Sequence, residues 1–431
     1  MSAAVATFRS QSRARQRVER TDTLPLIAVG GAIAGLPLLL PKGPGNSAPA
    51  DVLIAAAVIT VLVWAASVRA RVRVPYAVPV ALLIVAGALG GLAGREPGSA
   101  VIALGQDLFM LAWCAAIATL ARTPAALGVI LRVWAWSAIA WAGILVGAAA
   151  TGQRALAGLG SHGGGRARFM FDHPNLAASY FAVSLFVVLL AGRPRNKTAR
   201  AGAVLLLFAA VVLTGSNAAL LGLAVGGSVS IAVAVARRVD LVAGVAILIV
   251  LVVAGAGGWF ALTRTGATSR VDETSNRFIR YSIARGDRSL DARLDLFKEE
   301  LDLFRLQALT GIGPASTREV LSSNQTAKVK EAHSDYLAAL VERGPLGVVA
   351  LIALIVAVAI RFVGTAPGAL TPGFARVASG TAAMVGAGVL IAIGAITHEV
   401  LHYRHAWALF GIFAAIHSSG RAGETVAEEL R

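Results

Sequence analysis

His333 stands where a polar stretch gives way to a long apolar one, in the run Glu331-Ala-His333-Ser334-Asp335-Tyr336-Leu337. Imidazole is the side chain best suited to move a proton near neutral pH, although a lone histidine at a helix start is ordinarily a cap or a solvated group. At an apolar boundary it fits a base acting on a substrate held there, with Asp335 or Tyr336 to orient the ring. Arginines form a second set: Arg166 and Arg168 in the stretch Gly165–Leu176, and Arg293 in Asp291–Leu306. A planar guanidinium stays charged at any working pH and matches phosphate oxygens. The bland alternatives are loop solubility and lipid headgroup contact. His398, His402 and His405 fall at i, i+4 and i+7, one face if that turn is helical. With Glu399 as their only nearby carboxylate, contact with a substrate or plain interfacial polarity suits them better than a metal.

The elements that position these groups are dictated by composition. Of 431 residues, 57% are hydrophobic and 14% charged, with a mean hydropathy of +0.73, which excludes an ordinary soluble domain. The net charge of +16 falls in short clusters between apolar runs rather than in one patch interleaved with aromatics, so nucleic acid is excluded as a partner. The single cysteine, Cys114, forms no intrachain disulfide and no thiolate metal site.

A helix needs about 20 apolar residues to cross the bilayer core. Twelve stretches qualify: Leu24–Leu40, Val52–Val68, Val74–Leu92, Ser99–Leu120, Ala125–Ala150, Leu176–Ala191, Ala201–Leu213, Ala218–Val235, Leu241–Leu262, Leu346–Val363, Val377–Ile396 and Ala406–Ile416. The expected fold is an all-α integral membrane protein of about twelve transmembrane helices. Alternate loops carry the positive clusters: the N-terminal tail, then Arg69 to Arg73, Arg122, Arg193 to Arg200, Arg237 with Arg238, and Arg361 with Arg376. That alternation puts both termini in the cytoplasm. The organisation is then a basic tail at 1–23, nine helices over 24–262 with an external loop at 151–173, a large external loop at 263–332, three helices over 333–418, and a cytoplasmic tail at 419–431. Within the large loop, Leu294, Phe297, Leu301 and Phe304 share one face of an amphipathic helix that lies on the membrane or covers a cavity, stopped by Gly311-Ile312-Gly313-Pro314. Asp107 lies about 12 Å inside the fourth run at ~1.5 Å per residue, as a functional group or as a hydrogen-bond partner for another helix.

The run from His333 to Leu351, HSDYLAALVERGPLGVVAL, resembles the His-x-x-Tyr-Leu…Glu-x-Gly-x-x-Gly signature of the O-antigen ligase and O-antigen polymerase family, membrane enzymes that move glycans carried on polyprenyl diphosphate. Arg166 to Leu176 resembles the family's Arg…Phe…Pro-Asn stretch, with Arg166 and Arg168 competing for one match and Asn175 as its Asn. Arg293 to Phe297, followed by Gly311 to Pro314, resembles its arginine–aromatic and glycine-rich element. Thr214 to Leu220 and Tyr403-Arg404-His405-Ala-Trp407 are further matches. The chain departs from the pattern at Ser334 (commonly Asn), Phe297 (usually Trp), Asn217 (commonly Arg) and Pro314-Ala315, where a third glycine is missing.

The resemblance implies a transferase with His333 as catalytic base and with Arg166, Arg168, Arg293, Asn175, Tyr336 and Arg404 binding substrate. The donor would be a polyprenyl-diphosphate-linked glycan, the acceptor a glycan or lipid-glycan hydroxyl, and the setting the outer face of a bacterial cytoplasmic membrane among its lipids. Direct displacement would invert the anomeric centre. The external segments hold no Asp-x-Asp pair or clustered carboxylates in a metal-binding context, so the reading needs no metal and no cofactor, arginines taking the metal's part. There is no Walker A loop, no dinucleotide-binding glycine fingerprint in the right context and no Gly-x-Ser-x-Gly elbow. The rival is a polytopic transporter or flippase of lipid-linked glycans, which would place charged or broken-helix elements at mid-membrane and show symmetry between its halves.

Overall fold

The computed structural model describes residues 23–43, 47–94, 97–159, 166–264, 298–299, 301–305, 307–317, 334–365, 368 and 370–429. Among them every regular element is helical, which bears out the all-α reading. A backbone without water around it must satisfy its polar groups within its own segment, and Ala-, Val- and Leu-rich runs do so as helices.

Helices α1 (Thr23–Ala34), α2 (Pro49–Ser67), α3 (Ala77–Ala93), α4 (Pro97–Leu120) and α5 (Pro124–Ala150) are followed by the single turn α6 (Arg154–Ala157). Then come α7 (Pro174–Ala191), α8 (Lys197–Thr214), α9 (Asn217–Ala236), α10 (Leu241–Arg264), α11 (Asp335–Val363), α12 (Pro372–Val377), α13 (Thr381–Thr397) and α14 (Arg404–Glu429), with a 3₁₀ turn at Val400–His402. Proline opens α2, α4, α5 and α7, where its missing N–H has no helical partner to lose. Thr123, Asn196 and Ser216 cap α5, α8 and α9 by accepting N–H groups of the first turn.

Each of the twelve apolar stretches carries helix, but among the described residues eight helices are long and apolar enough to cross a membrane, and α1, α3 and α13 are shorter apolar helices. The first stretch ends early because the chain turns at Gly35 to Pro37. The eleventh splits at Ala378 to Gly380, where the Gly380 N–H meets the Leu190 carbonyl at 3.1 Å. The last helix runs on to Glu429, through the segment expected to be a tail. Small residues bring helices together: a Cβ on Gly226 would sit 2.5 Å from the Gly386 carbonyl oxygen, so α9 and α13 meet backbone to backbone.

Basic residues near the helix ends are tied down by specific partners. Lys42 pairs with Asp172 at 2.6 Å, Arg404 with Asp51, and Arg166 reaches the Thr214 carbonyl at 2.7 Å. Arg73 bonds Ser418 at 2.7 Å, Arg237 bonds Thr381 at 2.9 Å, and Arg122 lies over Trp64.

One helix is broken. Gly344 adopts φ 64° and ψ −168°, which a side chain forbids, and Pro345 then lacks the N–H to continue the ladder. The result is a half-helix over 335–343 ahead of the apolar run 345–363.

Candidate active site

The half-helix carries the described part of the motif around His333, and its surroundings are built to hold it still. Ser334 Oγ donates to the Ala395 carbonyl at 3.2 Å and the Tyr336 hydroxyl to the Ala392 carbonyl at 3.2 Å, so the first turn is tied to the end of α13. The Asp335 carboxylate is buried and accepts the backbone N–H groups of Val400 at 2.7 Å and Leu401 at 3.3 Å. Both residues expected to orient an imidazole are therefore engaged with backbone, Tyr336 with that of α13 and Asp335 with that of the α13–α14 connection.

At its other end the half-helix leaves carbonyls without helical partners. Residues 307–317 supply them: the Ile312 N–H donates to the Val341 carbonyl and the Gly313 N–H to the Glu342 carbonyl, each at 3.0 Å. The Glu342 carboxylate, buried, accepts the Ala315 N–H at 3.0 Å and the Thr317 hydroxyl at 2.7 Å. Leu303 and Ile312 close a small apolar cluster with Leu337 and Val341, and Phe304 packs beside it. Described residues 301–305 of the expected amphipathic helix thus pack on the half-helix through Leu303, which lies off the face read from the sequence.

This arrangement needs room, and α3 provides it. A Cβ at Gly90 would lie 2.6 Å from the Glu342 carbonyl oxygen and 2.8 Å from that of Thr310; one at Gly94 would lie 2.3 Å from that of Ile312. Gly87 and Gly90 lie on α3 and Gly94 caps its end, so loop and half-helix can press onto its backbone.

Behind the half-helix lies a cavity whose polar walls are Asp107, Asp335, Glu342, Arg343, Glu399 and His402. Arg343 Nη1 donates to Asp107 at 2.7 Å and to the Leu83 carbonyl at 3.0 Å, and both charged side chains are about nine-tenths buried. A buried guanidinium without a counter-ion is costly, so the carboxylate inside α4 has a structural partner. His402 Nδ1 lies 3.1 Å from Glu399 Oε2, with the two side chains 40% and 21% exposed. Burial pulls the imidazole pKa down, but the Glu399 hydrogen bond and charge, with Asp107 and Asp335, outweigh it and raise it to about 9.

The arginine-bearing stretch sits on the α8–α9 junction. Arg166 donates through Nε to the Thr214 carbonyl and through Nη2 to Asn175 Oδ1, while the Ala167 N–H meets the Leu213 carbonyl at 3.1 Å. A cation at a helix C-terminus is favourable. Two of the sequence motifs, 166–175 and 214–217, are thereby brought together. Arg168 is tied loosely, 3.5 Å from the Asp172 carbonyl. Arg404 makes a bidentate pair with Asp51 at 2.8 and 2.7 Å, while its carbonyl accepts the Trp113 indole N–H. The three histidines share no face, because the chain from His398 to Tyr403 is not α-helical. His402 turns to Glu399, and His405 meets the Ser179 hydroxyl at 2.9 Å.

His333 and Arg293 lie outside the described residues. The cavity adds Arg343, not singled out from the sequence, and draws in Glu342 of the signature and Glu399 beside the histidines. Their signal was present: charged residues bordering apolar runs default to functional candidates.

Residues 202–352 match the family model described as O-Antigen ligase. The match runs from α8 through the half-helix and its break, so the family resemblance holds over that part of the chain. No curated protein matches the chain.

Proposed function

We propose that the protein transfers a glycan from polyprenyl diphosphate to a hydroxyl acceptor at the outer face of a bacterial cytoplasmic membrane, as an O-antigen ligase or polymerase does, in the assembly of surface polysaccharide. What supports this reading is one coincidence. The family-matched segment that follows His333 is also the segment the fold breaks out of a helix and fixes beside a polar cavity.

In the proposed reaction the acceptor oxygen attacks the anomeric carbon as the carbon–oxygen bond to the diphosphate breaks. The acceptor's proton passes to His333, and the bonding pair leaves on the diphosphate, with inversion. Arg166, Arg168 and Arg293 neutralise the diphosphate, Asn175 fixes Arg166, and Tyr336 stands beside the base. Arg404 keeps Nη1 for substrate, its Nε and Nη2 being held by Asp51. A diphosphate is already a good leaving group, so arginines serve where other transferases use a metal.

A second reading has one observation in its favour. A broken helix beside a buried ion pair is a transporter trait, as a flippase of lipid-linked glycans would show. Both are tested in proteoliposomes holding a labelled glycan on polyprenyl diphosphate, without added metal. Product from the intact protein and almost none from an equally folded His333→Ala variant supports the transferase. Movement of the lipid-linked glycan across the bilayer without product replaces it with the flippase.

A further inference from the structure

We infer that the cavity between the half-helix and the 3₁₀ turn is the acceptor subsite, where a neutral sugar hydroxyl is held between the Arg343 guanidinium and the Glu399–His402 pair. The inference rests on the transferase reading and assigns one of its two substrates to a place.

A hydroxyl both donates and accepts, so a site for it must offer both kinds of group at fixed positions. Arg343 makes its bonds to Leu83 and Asp107 through Nη1, and among the described residues its Nε and Nη2 meet no partner. The oxygens of Asp335 and Glu342 are taken up by Val400, Leu401, Ala315 and Thr317. Glu399 is different: among the described residues only its Oε2 is engaged, by His402, so Oε1 remains to accept.

The turn that carries the pair is fixed more firmly than an exposed ion pair requires. Asp335 holds the N–H groups of Val400 and Leu401, the Trp407 indole donates to the Leu401 carbonyl at 2.6 Å, and the Tyr403 N–H to that of Val400 at 2.9 Å. Preorganisation of this kind marks groups whose position matters.

Hydrogen-bond chemistry decides which substrate comes here. A diphosphate offers acceptors alone and leaves Glu399 facing a second anion, whereas a hydroxyl donates to Glu399 and accepts from Arg343. The cavity, of about 30 Å³, takes a water-sized group, so a hydroxyl enters while the sugar ring stays outside.

The test uses the full chain in proteoliposomes, with a polyprenyl-diphosphate-linked glycan as donor and a neutral glycolipid as acceptor, each varied in turn. Glu399→Gln and His402→Gln are expected to raise the acceptor KM about tenfold, as loss of one charge-assisted hydrogen bond does, with the donor KM within about twofold of wild type. A purely structural pair would move both constants or neither, and either of those results overturns the inference while leaving the transferase in place. If the wild-type protein makes no product, the transferase reading falls and the inference with it. Should Glu399→Gln melt early, His402→Gln carries the test, since that side chain is 40% exposed.

Discussion

The Asp335 carboxylate accepts the Val400 N–H at 2.7 Å across 65 residues of sequence, joining the helix that follows His333 to the turn that carries Glu399 and His402. Asp335→Ala leaves the buried Val400 N–H and the half-buried Leu401 N–H without an acceptor. Loss of about 1–3 kcal/mol is expected, read as a lower melting temperature in detergent. Asp335→Asn keeps one acceptor oxygen and should lose less; equal losses would mean that the carboxylate does not hold the turn.

Asp107 and Arg343 stabilise one another in a setting where either alone is a buried charge. Asp107→Asn or Arg343→Gln should each cost about 3–5 kcal/mol, while the double change Asp107→Leu with Arg343→Met recovers most of it. A double variant that is as stable as wild type but weak in acceptor binding would separate the pair's structural part from its contact with substrate.

Arg404 and Asp51 supply a cleaner cycle, because both side chains are about 15% exposed and meet at two oxygens. Arg404→Lys keeps the charge and loses the fork, and a coupling energy of about 0.5–3 kcal/mol with Asp51→Asn is expected from melting. Strict additivity of the two changes would remove the pair as a stabilising element.

The His402 pKa is raised to about 9 in the fold, against 6.5 when unpaired. Its contribution to stability is therefore complete below about pH 6.5 and fades as pH climbs through about 9. Wild-type melting temperatures should drop across that window relative to His402→Gln, which has no proton to lose. Parallel curves would show that Glu399 does not hold the imidazolium.

Glycines on α3 make the sharpest steric prediction. Gly90→Ala drives a methyl into the Glu342 and Thr310 carbonyls and should destabilise by about 1–3 kcal/mol. Gly31→Ala on α1, where a methyl meets nothing within 4 Å, should change stability by less than about 0.5 kcal/mol.

Much of this was readable from the chain. Long apolar runs marked the helices, because a run of that length has few other ways to satisfy its backbone, and Gly344-Pro345 marked where the tenth run begins. The segment just before it was harder: residues 335–343 carry Asp335, Glu342 and Arg343, and no apolar count reports a charged half-helix wedged against others. Pairings escaped for a different reason. Arg343 finds Asp107 at a separation of 236 residues, and Arg404 finds Asp51 at 353. A motif names the residue but not its structural partner, so neither Asp51 beside Arg404 nor the Val400 N–H on Asp335 could be read from it.

The break at Gly344 also constrains how the protein is made. A charged residue at a helix centre costs about 2.5–3.5 kcal/mol to insert, so residues 335–343 cannot enter lipid on their own account, whereas the apolar run after Pro345 can. The half-helix must instead dock sideways, onto the α3 glycines and the Asp107 carboxylate, both synthesised more than two hundred residues earlier. Assembly of the half-helix and its cavity is therefore a late event in biogenesis, and a chain lacking its first four helices would insert its C-terminal spans yet leave that region unbuilt.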